Sequence, residues 1–304
     1  MSTSFWWIFD FLVIAIAVYI VIVNAKRGVT KSIVLGIGYV LTTVAASLLA
    51  AVAAPALYQS VAYDNNIRGI TTANKHMDFA EVFSEAINNQ DYGYIMDVSA
   101  AERILKNPKK CADFENEFYD YGADKTGGPF ATRQEFGAVL RNAFLESYGN
   151  ELDERVPRYV RMYFDKQVRS DPTLMGKLIT VFYDNTLYPD DKADVLEQQF
   201  AAKPTTEVLQ IFIYLIIFSV VMVIVALISA ILQNRIFFNI QNSTDHAVGM
   251  LIGVIEAGVM LVLFTLISRL LVLLMGGHFL FFNEETIAET KLFSFFYDHI
   301  SILL

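Results

Sequence analysis

The chain has one cysteine, Cys111, among 304 residues, so no internal disulfide is available and the redox compartment is not readable from thiols. Histidine is also scarce. His76, His246, His278 and His299 are the four, and none lies in a metal-ligand spacing such as H-E-x-x-H. G-x-S-x-G is missing, as are a P-loop and a G-x-G-x-x-G after a strand. These absences leave no enzymatic signature, and no metal or cofactor is expected. A basic excess is lacking too: 23 Lys and Arg stand against 32 Asp and Glu, a net charge of −9. Phosphate backbones need a basic patch, so nucleic acid is excluded as a partner.

What is abundant is apolar sequence, 55% of the chain. It is gathered into four blocks of about 20 residues, the length needed to span about 30 Å of hydrocarbon as helix. They run over about residues 5–23, 33–54, 211–232 and 247–268. The second and third hold no charge and show no polar face, unlike a soluble core helix. The first block lacks a preceding Lys or Arg, which argues for an uncleaved helix and not a signal peptide. The chain therefore reads as an all-α integral membrane protein with the lipid bilayer as its solvent. Two transmembrane hairpins, 1–54 and 207–276, flank a polar segment, 55–206, and a tail, 277–304, follows.

Orientation comes from the short loops. Residues 24–32 carry Lys26, Arg27 and Lys31 with no acid, and residues 233–246 carry Arg235, although Asp245 accompanies it. The positive-inside rule puts both in the cytoplasm. The N-terminus, the 55–206 segment and the C-terminus are then outside. The 55–206 segment holds 17 Lys and Arg and 24 Asp and Glu, and a domain of that length crosses largely regardless of its charge.

Residues 55–206 read as mostly helical and long enough to bury their own core. Asp78–Asn89, Thr132–Tyr148, Asp171–Asn185 and Asp190–Ala201 each combine an N-terminal capping signal or acid with apolar residues at helical spacing. Lys125–Pro129 reads as a loop. The many Tyr and Phe are expected in the core and on a surface for a protein partner outside the membrane. In the tail, Leu292, Phe295, Phe296, Ile300 and Leu303 fall on one helical face, predicting an amphipathic helix over 283–304. It would lie on the outer membrane surface or pack on the outer domain.

The intramembrane charges are the candidate functional residues. Asp10 lies inside the first span, Glu256 about 14 Å into the fourth, and Arg269 at that span's outer end. A charge at such depth costs several kcal/mol unless paired or hydrated. Glu256 and Asp10 could serve a proton or solute path, or Glu256 could simply hydrogen-bond a neighbouring helix, while Arg269 is expected to snorkel outward. Gly249 and Gly253, continued by Ala257, let two helix backbones approach closely, within the chain or in a homo-oligomer. Arg27 and Asp245 fall at the same inner depth, where they could form an ion pair joining the hairpins. Asp245 would also cap the fourth span.

The two hairpins resemble the colicin V production protein (CvpA) family. The first carries Trp7-Ile-Phe-Asp10 and then Arg27-Gly28 at its inner end. The second carries Asp245-His-Ala-Val-Gly249-Met-Leu-Ile-Gly253, with Ala257 at the third small position. Glu256 falls where some members carry Arg, so no role passes to it. The 55–206 segment is an insertion outside the resemblance. What the resemblance implies is a four-helix bacterial inner-membrane protein linked to toxin production or export and envelope upkeep. Three functions follow: a membrane scaffold whose outer domain binds a partner, a transporter or channel component, and a membrane-tethered hydrolase resting on His76 alone.

Overall fold

A computed structural model describes residues 5–27, 29–233, 242–275 and 283–300. In chain order the helices are α1 (Trp7–Arg27) and α2 (Val29–Leu57), then a π-helical turn at Tyr58–Ala62. Next come α3 (Tyr63–His76), α4 (Phe79–Asn88), α5 (Val98–Leu105), α6 (Pro108–Cys111), α7 (Phe114–Thr126) and α8 (Arg133–Asp153). The chain continues through α9 (Arg158–Ser170), α10 (Pro172–Tyr183), α11 (Pro189–Phe200), α12 (Ala202–Gln233), α13 (Asn242–Met275), α14 (Glu284–Ala288) and α15 (Phe293–His299). Every regular element among the described residues is helical, as the sequence pattern implies.

The chain divides into two compact units, one formed by residues 1–57 with 206–304 and the other by residues 58–205. In the first unit, α1, α2, α12 and α13 are long and apolar enough to cross a membrane. Helices α2, α12 and α13 extend beyond their apolar blocks at both ends, and α1 runs on through Asn24–Arg27. Helix α13 packs along α1 and α2. Apolar side chains stay exposed along these helices, Leu48, Val52, Ile216, Val223, Ile231 and Leu251 among them. A soluble monomer would not leave such surface in water, whereas lipid covers it without penalty.

The tail differs from the expected single helix. It is two short helices, α14 and α15, packed against α1 and α13. The buried apolar residues are Ile287, Phe293 and Ile300, while Leu292 and Phe295 of the expected apolar face are exposed. Leu303 lies outside the described residues. Phe293 stacks on Phe9 at 4.8 Å and meets Phe264 at 5.2 Å, so the tail closes over the aromatic end of α1 and α13.

The second unit is a helical domain with an aromatic core. Phe79, Phe83, Phe114, Phe118, Phe136, Phe144, Phe164 and Phe200 are all buried. Phe79 sits edge-on to Phe182 at 4.7 Å, and Phe164 meets Phe200 at 5.1 Å. The caps explain where the helices start. Asp78 accepts from the backbone N–H of Ala80 and Glu81, and Asp171 from that of Thr173. Thr132 and Glu135 form the reciprocal capping box of α8. Helix α7 runs two residues into the expected loop and ends at Gly127, whose φ of 75° gives the left-handed C-terminal cap. Helices α3, α5, α6, α7, α9 and α11 complete the domain.

Candidate functional site

The small residues of α13 set the geometry at its inner end. A Cβ on Gly249 would stand 2.6 Å from the backbone oxygen of Asn24, and one on Gly253 would stand 3.0 Å from Cα of Val21. The row is thus taken up within the chain, letting α1 and α13 touch backbone to backbone. On α2 the corresponding close approach is at Gly36, where a Cβ would meet the Ile252 side chain at 2.6 Å. At the same level a ring nitrogen of His246 lies 2.6 Å from the carbonyl oxygen of Ala25. A carbonyl only accepts, so Nδ1 carries the proton there.

This packing buries Glu256 between helices, at 4% exposure. Asn24 donates from Nδ2 to Glu256 Oε2 at 2.7 Å and to the carbonyl of Ile20 at 3.0 Å. Arg27 Nη1 lies 3.6 Å from Glu256 Oε1, and the Tyr39 hydroxyl faces the same carboxylate from α2. One carboxylate therefore gathers partners from α1 and α2. Pairing and hydrogen bonding offset much of the cost of burying a charge, and removing one partner would expose that cost. Arg27 thus pairs with Glu256, eleven residues along α13 from Asp245, the partner expected from depth. The close helix contact lets the Arg27 side chain run back along α13. Asp245 lies in the first turn of α13, where the helix dipole favours an acid. Gly28 lies outside the described residues.

The outer end holds two further tethers. Asp10 accepts three backbone N–H groups: Lys291 on Oδ2 at 2.9 Å, and Leu292 and Phe293 on Oδ1 at 2.9 and 3.0 Å. It acts as the N-terminal cap of α15, supplied from a different helix. Arg269 does not snorkel freely. It pairs with Glu207 at the start of α12, with its side chain 22% exposed, and its guanidinium carbon lies 5.9 Å from the Tyr297 ring centre.

Asn24, Tyr39 and Glu207 were not singled out from the sequence, although signals existed. Asn24 lies one helical turn before Arg27, hence on its face. Glu207 and Arg269 both lie just beyond apolar blocks at the same end of their spans. In the second unit His76 is exposed beside Arg155, whose Nη2 is 3.0 Å from its Nδ1, and Cys111 is buried. Among the described residues no group of three His, Cys, Asp or Glu is placed to hold a metal.

Four apolar spans tied by buried polar contacts define an all-α, multi-pass membrane protein. Within that class, residues 185–300 match the model of the colicin V production protein family, and the resemblance read from the sequence holds over that stretch. The match takes in the second hairpin, α14 and α15. It begins inside the second unit and does not reach the first hairpin. No curated protein and no solved structure matches the chain.

Proposed function

We propose that this protein is a membrane scaffold of the colicin V production type, serving toxin production or export, whose second unit binds a protein partner outside the inner membrane. The observation that carries the reading is the state of the intramembrane carboxylates. Asp10 is occupied by three backbone N–H groups, and Glu256 by Asn24 and Arg27. Both are tethers that fix helices, which suits a platform better than a conduit. The loop charges favour an outside location for the N-terminus, the second unit and the C-terminus, with the short loops in the cytoplasm. The test is photo-crosslinking in native membranes from exposed positions of the second unit such as Ile95 and Tyr188. A discrete adduct with one envelope protein supports the reading, and crosslinking to lipid alone at every position overturns it.

A second reading, a transporter or channel component, is favoured by one detail. Among the described residues, Asn24 Oδ1 is buried in the Glu256 cluster without a hydrogen-bond partner, leaving an acceptor available. Glu256→Gln separates the two. A scaffold keeps its function with Gln, which preserves the hydrogen bond from Asn24. A proton or ion path loses function while the protein remains folded and abundant.

A further inference from the structure

Glu197 is a buried acid that neither reading uses. It sits on α11 at 1% exposure, on the side facing α3. Its Oε1 accepts from the Tyr58 hydroxyl, and Asn66 Nδ2 approaches the same oxygen at 3.4 Å. Asn66 Nδ2 also lies 3.3 Å from Thr205 Oγ1, and that hydroxyl donates to the carbonyl of Ala201 at 2.7 Å. All four residues are at most 5% exposed. Their positions in the chain are distinctive. Tyr58 is the first residue of the second unit and Thr205 the last, so the cluster joins the segment that enters the unit to the segment that leaves it.

The local backbone serves this contact. Pro55 lies inside α2 and offers no N–H to the preceding turn. The π-helical turn at Tyr58–Ala62 follows directly. Such turns add a residue to the helical circuit and re-aim side chains, often at functional positions. Here the turn carries the Tyr58 ring, edge-on to Tyr63 at 6.2 Å, into the buried cluster.

We propose that the Tyr58–Glu197–Asn66–Thr205 cluster is a proton-operated latch that holds the entering and leaving segments of the second unit together when Glu197 is protonated and releases them when it ionises. The groups around Glu197 are polar, and among the described residues it has no ion-pair partner. From the π turn comes Tyr58, and from α3 come Asn66 and Tyr63, the latter engaged at 2.6 Å with Asp194. From α9 comes Tyr159, directed at Thr205, while the Lys203 ammonium lies over the Tyr163 ring. From α10 the Phe182 carbonyl accepts from Lys192 of α11. Burial alone pushes the Glu197 carboxyl up to about 7.

The sign follows. Once the cluster opens to water, the carboxyl returns to its ordinary value near 4.5. The closed form therefore holds the proton more tightly. Its advantage is complete below about pH 4.5 and is lost as pH rises to about 7, beyond which it levels off. Between pH 6 and pH 8 the opened population should rise about tenfold.

The experiment is hydrogen exchange on the full chain in detergent micelles at pH 6, 7 and 8, corrected for the intrinsic pH dependence of amide exchange. Segments 58–66 and 195–206 should show the excess opening, while the Phe79–Phe144 core should not. Glu197→Gln, a permanently neutral isostere, should abolish the excess. Tyr58→Phe removes a donor that favours the ionised carboxylate, so the transition should move to higher pH. An excess missing from the wild type, retained in Glu197→Gln, or unmoved in Tyr58→Phe overturns the latch.

Discussion

Replacing Asp10 with Ala tests how the tail is held. The carboxylate receives the N–H groups of Lys291, Leu292 and Phe293, all at 2.9–3.0 Å. The loss of an N-terminal cap costs about 0.5–2 kcal/mol, and Asp10 is only half-buried, so water can reach part of the vacated site. The apolar contacts survive. Phe293 remains fully buried against Phe9 and Phe264, and burying such a ring contributes about 1.5–3 kcal/mol. Asp10→Ala should thus leave the tail docked but raise its local opening. At about 1.4 kcal/mol the increase is about tenfold. Hydrogen exchange over residues 284–300 reads it directly. Asp10→Asn should fall between, because the amide oxygen keeps the Oδ1 site that Leu292 and Phe293 use. Unchanged exchange in Asp10→Ala would refute the cap. An equal loss of protection in every helix would also refute it, since the carboxylate would then support the whole unit and not the tail.

Gly249→Ala should lower thermal stability in detergent by about 1–3 kcal/mol, because its Cβ meets the Asn24 backbone oxygen at 2.6 Å. Gly258→Ala is the control. Among the described residues nothing outside its own turn of helix lies within 4 Å of a Cβ there, so better helix propensity should leave stability equal or up to about 1 kcal/mol higher. A double-mutant cycle of Arg27→Gln with Glu256→Gln should give a coupling of about 1 kcal/mol or more, since Glu256 is buried although Arg27 is partly exposed. Purely additive losses would show that the pair contributes nothing. A membrane-impermeant maleimide should leave buried Cys111 unlabelled in intact cells and label it after mild denaturation of the second unit. Labelling only after the bilayer is permeabilised would reverse the orientation.

The spans were legible because each is a continuous apolar run, a signal carried by neighbouring residues. The helix starts at Asp78, Thr132 and Asp171 were legible for the same reason, since a cap and its N–H partners lie within three residues. The polar contacts were not. Asp10 and its partners are separated by 281 to 283 residues, so the tail reads as one amphipathic helix and nothing local shows that α14 ends at Ala288 and α15 starts anew at Phe293 under the Asp10 cap. Arg27 was matched by depth to Asp245, but depth does not say which face of α13 meets α1. That face is fixed by Gly249 and Gly253, and it brings Glu256 within reach.

Glu197 shows the same limit from the other side. Between Val195-Leu196 and Gln198-Gln199 it reads as the solvent side of an amphipathic helix, yet it is buried because Tyr58 and Asn66 arrive from 139 and 131 residues away. None of the acids Asp10, Glu256 and Glu197 therefore has a role that its own segment dictates, unlike the capping acids Asp78 and Asp171. At Asp10, Glu256 and Glu197 alike, the local sequence sets the cost of placing an acid there, and a distant donor decides what the acid does. Mutating the donor at Asn24 or Tyr58 should for that reason change the acid's behaviour although the acid itself is untouched.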